Sequence, residues 1–144
     1  MKTITSILLI SSALAASELI QVPSALSVDQ CTARISTIIA SKPGFGVFAI
    51  IDHQKNAQKV GMKIPAQKVI IFGNPKAGSK LLQNDAQIGY DLPLRIMVRQ
   101  EGAKSVVAYR DPKSFTKMYD LKKSPIPQKM AGLLNTLAKS CQEQ

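Results

Sequence analysis

Four polar residues next to predicted strands are the strongest candidates for a binding or reactive site. Asp52 and His53 stand directly after an apolar run, and His53 is the only histidine of the chain. Asn74 follows a second apolar run, and Asp91 stands just before a third. Reactive groups of α/β proteins commonly lie at strand ends, and a histidine titrates near neutral pH. We therefore expect a ligand-binding pocket built from Asp52, His53, Asn74 and Asp91.

Each of these residues also has a purely structural interpretation. Asp52 is a good N-cap for a helix that begins at His53, because its carboxylate accepts backbone N–H groups there. Adjacent residues of a strand point to opposite faces, so Asp52 need not orient His53 at all. Asp91 in turn satisfies backbone N–H groups if it belongs to a plain turn. The sequence leaves these alternatives open.

Neither a nucleophile nor a metal site stands out. The chain has no Gly-x-Ser-x-Gly motif and no second histidine, so no nucleophile is marked beside its base. Zinc sites take three or four ligands from Cys, His and carboxylates, which a single histidine supplies poorly. We therefore expect no metal site, leave the cofactor unassigned, and keep an enzyme with His53 as acid or base as an alternative to a binding protein.

The segment from Gly73 to Lys80 resembles a phosphate-binding loop in part. It follows an apolar run, precedes a predicted helix, and has two glycines at the spacing of that motif. However, Ser79 stands where the motif needs lysine, and Pro75 removes one backbone N–H. Nucleotide hydrolysis is therefore not expected. Weak anion binding by Lys76, Ser79 and Lys80 at the helix start stays open, beside a plain turn with solvated lysines.

The N-terminus has the pattern of a secretory signal. Lys2 precedes an apolar stretch that ends at Ala15 in a small-x-small pattern. We expect residues 1–15 to be a signal peptide and residues 16–144 to form one domain in the periplasm or outside the cell. No later run approaches the ~20 apolar residues of a transmembrane helix, so no transmembrane segment is predicted.

The two cysteines, Cys31 and Cys141, suit one disulfide in an oxidising compartment. They lie near the two ends of the predicted domain, and the chain-entropy model values so long a loop at about 4–5 kcal/mol. Each stands on the apolar stripe of a predicted helix: one begins at Ser27, with capping-box spacing to Gln30, and the other spans 125–141. The alternative to the disulfide is a pair of buried free thiols.

Between these two helices the pattern predicts strands joined by short helices. Apolar runs at 45–51 and 68–72 indicate strands that are covered on both faces. Residues 93–99 alternate between apolar and other side chains, and they are followed by a turn and a hairpin partner at 105–109. A short strand at 19–22 precedes the first helix. The order of elements predicts a single α+β domain.

Several motifs resemble those of the domain of unknown function 302 family. They occur in the order and spacing of that family over residues 19–115: Phe48-Ala49-Ile50-Ile51-Asp52-His53, Val60-Gly61, Ile71-Phe72-Gly73-Asn74-Pro75 and Asp91-Leu92-Pro93-Leu94. The resemblance implies a TATA-binding-protein-like β-α-β(4)-α fold, in which helices back a curved antiparallel sheet. It also implies a homodimer. It implies no activity, because the family is uncharacterised.

The charge of the chain narrows the choice of partners. The formal net charge is +10, and it falls to +9 when Lys2 leaves with the signal peptide. Aromatic residues make up only 5% of the chain, too few to favour stacking on bases, and we expect no nucleic-acid partner. Attraction to anionic lipid or envelope polymers fits better, beside simple solubility. The leading hypothesis is an exported, non-catalytic ligand-binding or accessory protein with an unassigned ligand; a further alternative is a structural homodimer that binds another protein.

Overall fold

Five strands pair into one antiparallel sheet in the computed structural model, which describes residues 19–143. The strands are β1 (Ile20–Ser24), β2 (Gly46–Asp52), β3 (Gln67–Gly73), β4 (Leu94–Glu101) and β5 (Lys104–Tyr109). Their order across the sheet is β1-β5-β4-β3-β2, so β1 and β2 are the two edges. The predicted signal peptide, residues 1–15, lies outside the described residues.

Five α-helices connect or follow these strands. They are α1 (Val28–Ala40), α2 (His53–Lys59), α3 (Pro75–Asn84), α4 (Phe115–Met118) and α5 (Ile126–Lys139), with short 3₁₀ turns at Ala86–Tyr90 and Pro112–Ser114. The expected β-α-β(4)-α order is confirmed, with α2 and α3 inserted beside β3. The C-terminal helix is slightly shorter than predicted. Within residues 19–143, no helix is long and apolar enough to cross a bilayer.

The start of α1 follows the capping box that the sequence predicts. The Ser27 hydroxyl accepts the Gln30 backbone N–H at 3.2 Å, and the Gln30 side-chain oxygen accepts the Ser27 backbone N–H at 3.1 Å. Two N–H groups that the helix leaves without partners are thereby satisfied. The same helix buries Cys31, Ile35 and Ile39 completely. One face of α1 therefore belongs to the core.

The core lies between one face of the sheet and the helices α1 and α5. The inward side chains of β3 and β4 alternate with more exposed outward ones, as a sheet with one covered face requires, whereas β5 is buried on both faces. The inward side chains that are almost or fully buried are Ile70, Phe72, Leu94, Ile96, Val98 and Val107. Leu134 and Leu137 of α5 close the core from the helical side. The alternation predicted for residues 93–99 is confirmed.

The prediction that the strand at 45–51 is covered on both faces is wrong. This strand is β2, an edge of the sheet, and 52% of Phe48 and 45% of Ile50 are exposed. A continuous apolar run is the same in sequence whether neighbouring elements cover the strand or not. The first strand also extends beyond residue 22, its expected end, and includes Pro23 and Ser24. An edge strand tolerates a residue without an N–H there.

A disulfide joins Cys31 of α1 to Cys141, two residues beyond the end of α5. The two cysteines are 110 positions apart in sequence, and neither is exposed to solvent. The Cys141 carbonyl also accepts the Ala25 backbone N–H at 2.9 Å and the Ser24 hydroxyl at 3.0 Å. The C-terminal segment is therefore fixed both to α1 and to the chain that leaves β1.

Replacing both cysteines by alanine should lower the free energy of unfolding by about 4 kcal/mol, because the unfolded chain regains the freedom of a very long loop. Urea unfolding followed by circular dichroism measures the change. Thr32→Val is the matched control, since its buried hydroxyl lacks a partner and its removal should cost little. Equal urea midpoints for wild type and the double variant would show that the disulfide adds no stability.

Candidate functional site

Asp52 is the N-cap of α2, as the structural interpretation of this residue predicts. Its carboxylate accepts the Lys55 backbone N–H at 2.9 Å and lies 3.5 Å from the Lys68 ammonium, which is 2.6 Å from Asp29. The Lys55 N–H is the main cause that holds the pKa of Asp52 below its ordinary value, and Lys68 adds to it. The ionised carboxylate therefore favours the fold at neutral pH, and this contribution is lost as the pH falls through the lowered pKa.

His53 is the first residue of α2 and is partly exposed. Within the described chain, no hydrogen bond joins it to Asp52, whose oxygens face Lys55 and Lys68. A general base is usually oriented by a second group within hydrogen-bond distance. The structure gives His53 no such group among residues 19–143, and a catalytic role for it stays a prediction.

The structure does not bring the four predicted residues into one pocket. Asp52 pairs with Lys68 at the start of β3, whereas Asn74 follows Gly73 at its end. The chain advances six residues from Lys68 to Asn74, which is about 20 Å at the usual rise per residue. Asp52 and His53 therefore lie at one end of the sheet, and Asn74 and Asp91 lie at the other. A single pocket formed by all four residues is therefore not present in the described chain.

Asp91 is held in a small polar cluster near the start of β4. It accepts the Tyr119 hydroxyl at 2.6 Å, and Arg95 lies 3.9 Å away. The hydrogen bond to Asp91 raises the pKa of Tyr119 to about 12, because ionising the phenol would remove the donated proton. Asp91 also borders a small cavity of about 260 Å³ with Arg95 and Met97. The carboxylate thus joins the segment before β4 to the segment after α4.

A much larger groove opens at the Asn74 end of the sheet. It has a volume of about 720 Å³, within the range of sites for small molecules. It is enclosed by α3, α5, residues 89–94 around the start of β4, the loop before β2 with Phe48 of β2, and the end of β3. Its walls are mainly apolar, and their large side chains are Phe45, Phe48, Leu82, Leu92, Pro93, Leu94, Ile126, Met130 and Leu133.

The charged side chains in the described lining of this groove are all lysines. Lysines approach it from three sides: Lys76 and Lys80 on α3, Lys42 before β2 and Lys129 on α5. No carboxylate belongs to the part of its lining that the structure describes. Asn74 caps the N-terminus of α3 by accepting the Ala77 N–H at 3.2 Å, and that end of the helix carries the positive end of its dipole. The groove therefore combines apolar walls with a cationic rim.

The segment that resembles a phosphate-binding loop has a different structure. Helix α3 begins at Pro75, directly after the cap, so Lys76, Ser79 and Lys80 are helical rather than part of a loop. A phosphate-binding loop presents successive backbone N–H groups to its ligand. Here Pro75 has no N–H, and the N–H groups of Ala77 and Gly78 donate to the side chain and the carbonyl of Asn74. Gly78 leaves room in the groove, since a Cβ there would lie 3.9 Å from Leu92.

Within residues 19–143, no three histidine, cysteine or acidic side chains lie in a cluster that fits a metal ion. The polar residues that line the groove are lysines, Asn74 and Ser79. Lysine is a cation, and a lone amide and hydroxyl make a poor ligand set for zinc. The arrangement therefore suits an anionic or neutral organic molecule rather than a metal.

Comparison with known families identifies the domain. A family model described as "Domain of unknown function DUF302" matches residues 20–137. The chain belongs to the DUF302 family. A crystal structure of an uncharacterised conserved DUF302 protein from Bacillus stearothermophilus has a TM-score of 0.73 and 19% identity, covering 86% of this chain and 98% of that one. At that identity the match shows the fold alone, and it confirms the fold that the sequence motifs imply.

Curated relatives of this DUF302 chain carry the name of an ion channel. The protein named fluoride-specific ion channel FluC 1 of Brucella suis biovar 1 is 37% identical over 90 residues, which are 62% of this chain and 35% of that protein. FluC 2 of Brucella melitensis biotype 1 is also 37% identical over 90 residues, with 33% of its length covered. The chain spans about a third of the length of these relatives.

Sequence reasoning found part of this DUF302 groove and missed its walls. Asn74, Lys76, Ser79 and Lys80 all line it, as an anion-binding helix start would require. The apolar walls come from segments far apart in sequence, and Met130 and Leu133 belong to the apolar stripe predicted for the last helix. An apolar stripe does not show which of its residues face a cavity rather than the core. Gly78, a glycine inside a helix, is the local signal that could have pointed to the groove, because it leaves the helix face open beside Leu92.

Proposed function

We propose that this chain is an exported, non-catalytic domain that binds a small amphiphilic anion in the groove beside α3. The observation that carries the proposal is the composition of this groove. It encloses about 720 Å³ with mainly apolar walls, four lysines at its rim and no carboxylate in the described lining. A ligand with an apolar body and one anionic group matches both properties.

The two parts of such a ligand gain from different interactions. The apolar body removes wall residues such as Leu92 and Met130 from water, which is worth ~0.8 kcal/mol for each buried CH₂ group. The anionic group meets Lys76 and Lys80 and the N-terminal end of α3, where charge-assisted hydrogen bonds and the helix dipole act together. A purely apolar ligand would leave the lysines unused, and a small anion alone would leave the apolar walls in contact with water.

A binding role fits the available side chains better than catalysis does. The groove lining contains Ser79 as its only hydroxyl among the described residues, and no histidine lies near it to act as a base. His53, the candidate acid or base, lies at the opposite end of the sheet. An enzyme that uses His53 therefore has no geometric support in the described chain.

Export is proposed on the N-terminal pattern and on the cysteines. Residues 1–15 have the charge, apolar stretch and small-residue site of a signal peptide. The Cys31–Cys141 disulfide suits an oxidising compartment, where such bonds persist. Both features favour the periplasm or the cell exterior.

Filling the groove should abolish binding of an amphiphilic anion. Gly78→Leu places a side chain against Leu92, and we expect it to weaken dodecanoate binding at least about tenfold, because burial of several methylene groups is lost. Isothermal titration calorimetry below the micelle concentration measures the affinity. Gly132→Leu is the matched control: it is also a helical glycine, but a Cβ there meets nothing within 4 Å.

The contribution of the lysines to binding is tested separately. Lys76→Gln with Lys80→Gln should weaken dodecanoate but not dodecanol, while Lys117→Gln with Lys139→Gln should change neither. Binding of dodecyltrimethylammonium as tight as that of dodecanoate would contradict selection for an anion. Wild-type protein that binds none of these probes would contradict the proposed function itself.

A second candidate function is an accessory domain of a membrane ion channel. The observation in its favour is the identity of 37% over 90 residues to the Brucella suis protein named as a fluoride-specific ion channel. Since this chain spans only about a third of that protein, the shared segment is one part of a longer chain there.

A domain exchange tests this candidate. The matched segment of the Brucella suis protein is deleted, or replaced by the corresponding residues of this chain, and fluoride efflux from liposomes is followed with a fluoride electrode. If the domain serves the channel, deletion lowers efflux and the replacement restores it. Unchanged efflux after deletion, or no gain from the replacement, would count against it.

The expected homodimer stays a prediction, and the edge strand β2 is where we propose that it forms. This strand exposes about half of Phe48 and Ile50 and carries no lysine or proline that would block pairing. Ile50→Lys should therefore turn a dimer into a monomer in light scattering after gel filtration, whereas Met118→Lys, at another exposed site, should not. A wild-type monomer at high concentration would refute the dimer.

A further inference from the structure

The loop between α2 and β3, residues 60–66, exposes an unusual amount of apolar surface. The exposed fraction is 71% for Val60, 62% for Met62 and 37% for Ile64. They alternate with Gly61 and Lys63, so three large apolar side chains stand within five positions. Single exposed apolar residues are ordinary on protein surfaces, but a contiguous group indicates a contact.

The backbone of this loop is fixed at both ends. The Met62 N–H donates to the Ala57 carbonyl at 2.9 Å, and the Gln54 side chain donates to the Ile64 carbonyl at 3.2 Å. At the other end, the Gln100 N–H donates to the Ala66 carbonyl at 2.8 Å. The apolar side chains are therefore presented by a supported turn, which lowers the conformational entropy lost when they bind.

Three lysines lie close in sequence to these apolar side chains. Lys55 and Lys59 lie on α2, Lys63 lies in the loop itself, and all three are exposed. No ion pair within residues 19–143 involves any of them. Asp52, the N-cap of α2, is already engaged by Lys68 and by the Lys55 backbone. The positive charge of this region is therefore available to an anionic partner.

We infer that this loop docks the domain on an anionic lipid surface. Val60, Met62 and Ile64 enter the boundary between headgroups and acyl chains, and Lys55, Lys59 and Lys63 contact the negative headgroups. Apolar side chains flanked by lysines are the combination that binds such interfaces. A folded protein partner would need a complementary acidic and apolar surface, whereas anionic lipid supplies both properties at once.

This contact goes beyond the proposed ligand binding and uses a different part of the molecule. The loop leads into the start of β3, whereas the groove lies at its end beyond Gly73. A domain held on a membrane through residues 60–66 therefore keeps the opposite end of its sheet, with the groove, directed toward solvent.

Cosedimentation with vesicles tests the inference. The full chain, with the same N-terminus in every variant, is mixed with vesicles of phosphatidylcholine alone or with 30% phosphatidylglycerol (about one lipid in three anionic). We expect binding mainly to the anionic vesicles. Val60→Asp with Met62→Asp should weaken it at least about tenfold, because two apolar side chains no longer enter the membrane and two negative charges are added beside the anionic headgroups.

Matched controls separate this loop from the general charge of the chain. Tyr90→Asp with Met118→Asp adds the same charge at residues that are 88% and 59% exposed elsewhere, and it should change binding little. Lys59→Gln with Lys63→Gln should weaken binding more than Lys113→Gln with Lys117→Gln. Equal losses in the loop variants and in their controls, or no binding of the wild type to anionic vesicles, would overturn the inference. Circular dichroism confirms that each variant is folded.

Discussion

The attachment of α5 to α1 is the constraint on which the groove depends. One face of a five-stranded antiparallel sheet must be covered, and α1 and α5 cover it side by side. The Cys31–Cys141 disulfide joins them at the end of α5, where the Cys141 carbonyl also accepts hydrogen bonds from Ser24 and Ala25. Because α5 supplies Ile126, Met130 and Leu133 to the groove, the same attachment fixes one of its walls.

The two ends of the sheet carry different chemistry, and antiparallel pairing is the reason. In a parallel sheet, all strands end at the same edge and residues after each strand come together. Here β2 and β3 run in opposite directions, so the residues that follow these two strands lie at opposite ends of the sheet. Asp52 and His53 therefore accompany the basic loop at residues 60–66, while Asn74 accompanies the groove. The proposed ligand contact and the inferred lipid contact are thereby kept apart.

Local signals in the sequence predicted much of the fold. The capping box of Ser27 and Gln30, the N-cap Asp52 at the start of α2, and the alternation along β4 each depend on residues within a few positions of one another. The disulfide followed from the number of cysteines and their place on two apolar stripes. The family motifs supplied the topology, which no local pattern specifies.

The site was less accessible to sequence reasoning because it depends on long-range pairing. The exposure of Phe48 and Ile50 is set by the position of β2 at the edge of the sheet, which the apolar run does not encode. The groove is enclosed by α3, α5, two loops and the adjoining ends of strands, which are far apart in sequence and meet only in the fold. Its cationic rim was partly visible as Lys76 and Lys80, yet Lys42 and Lys129 join it from distant parts of the chain.

The most direct test of ligand binding in this groove is the position of a bound probe. Nuclear Overhauser effects between dodecanoate and protein methyl groups locate the acyl chain at atomic detail. We expect contacts to Leu92, Met130 and Leu133, with the carboxylate near Lys76 and Lys80. Contacts confined to Val69 and Met97 on the opposite face of the sheet, or none at saturating probe, would contradict it.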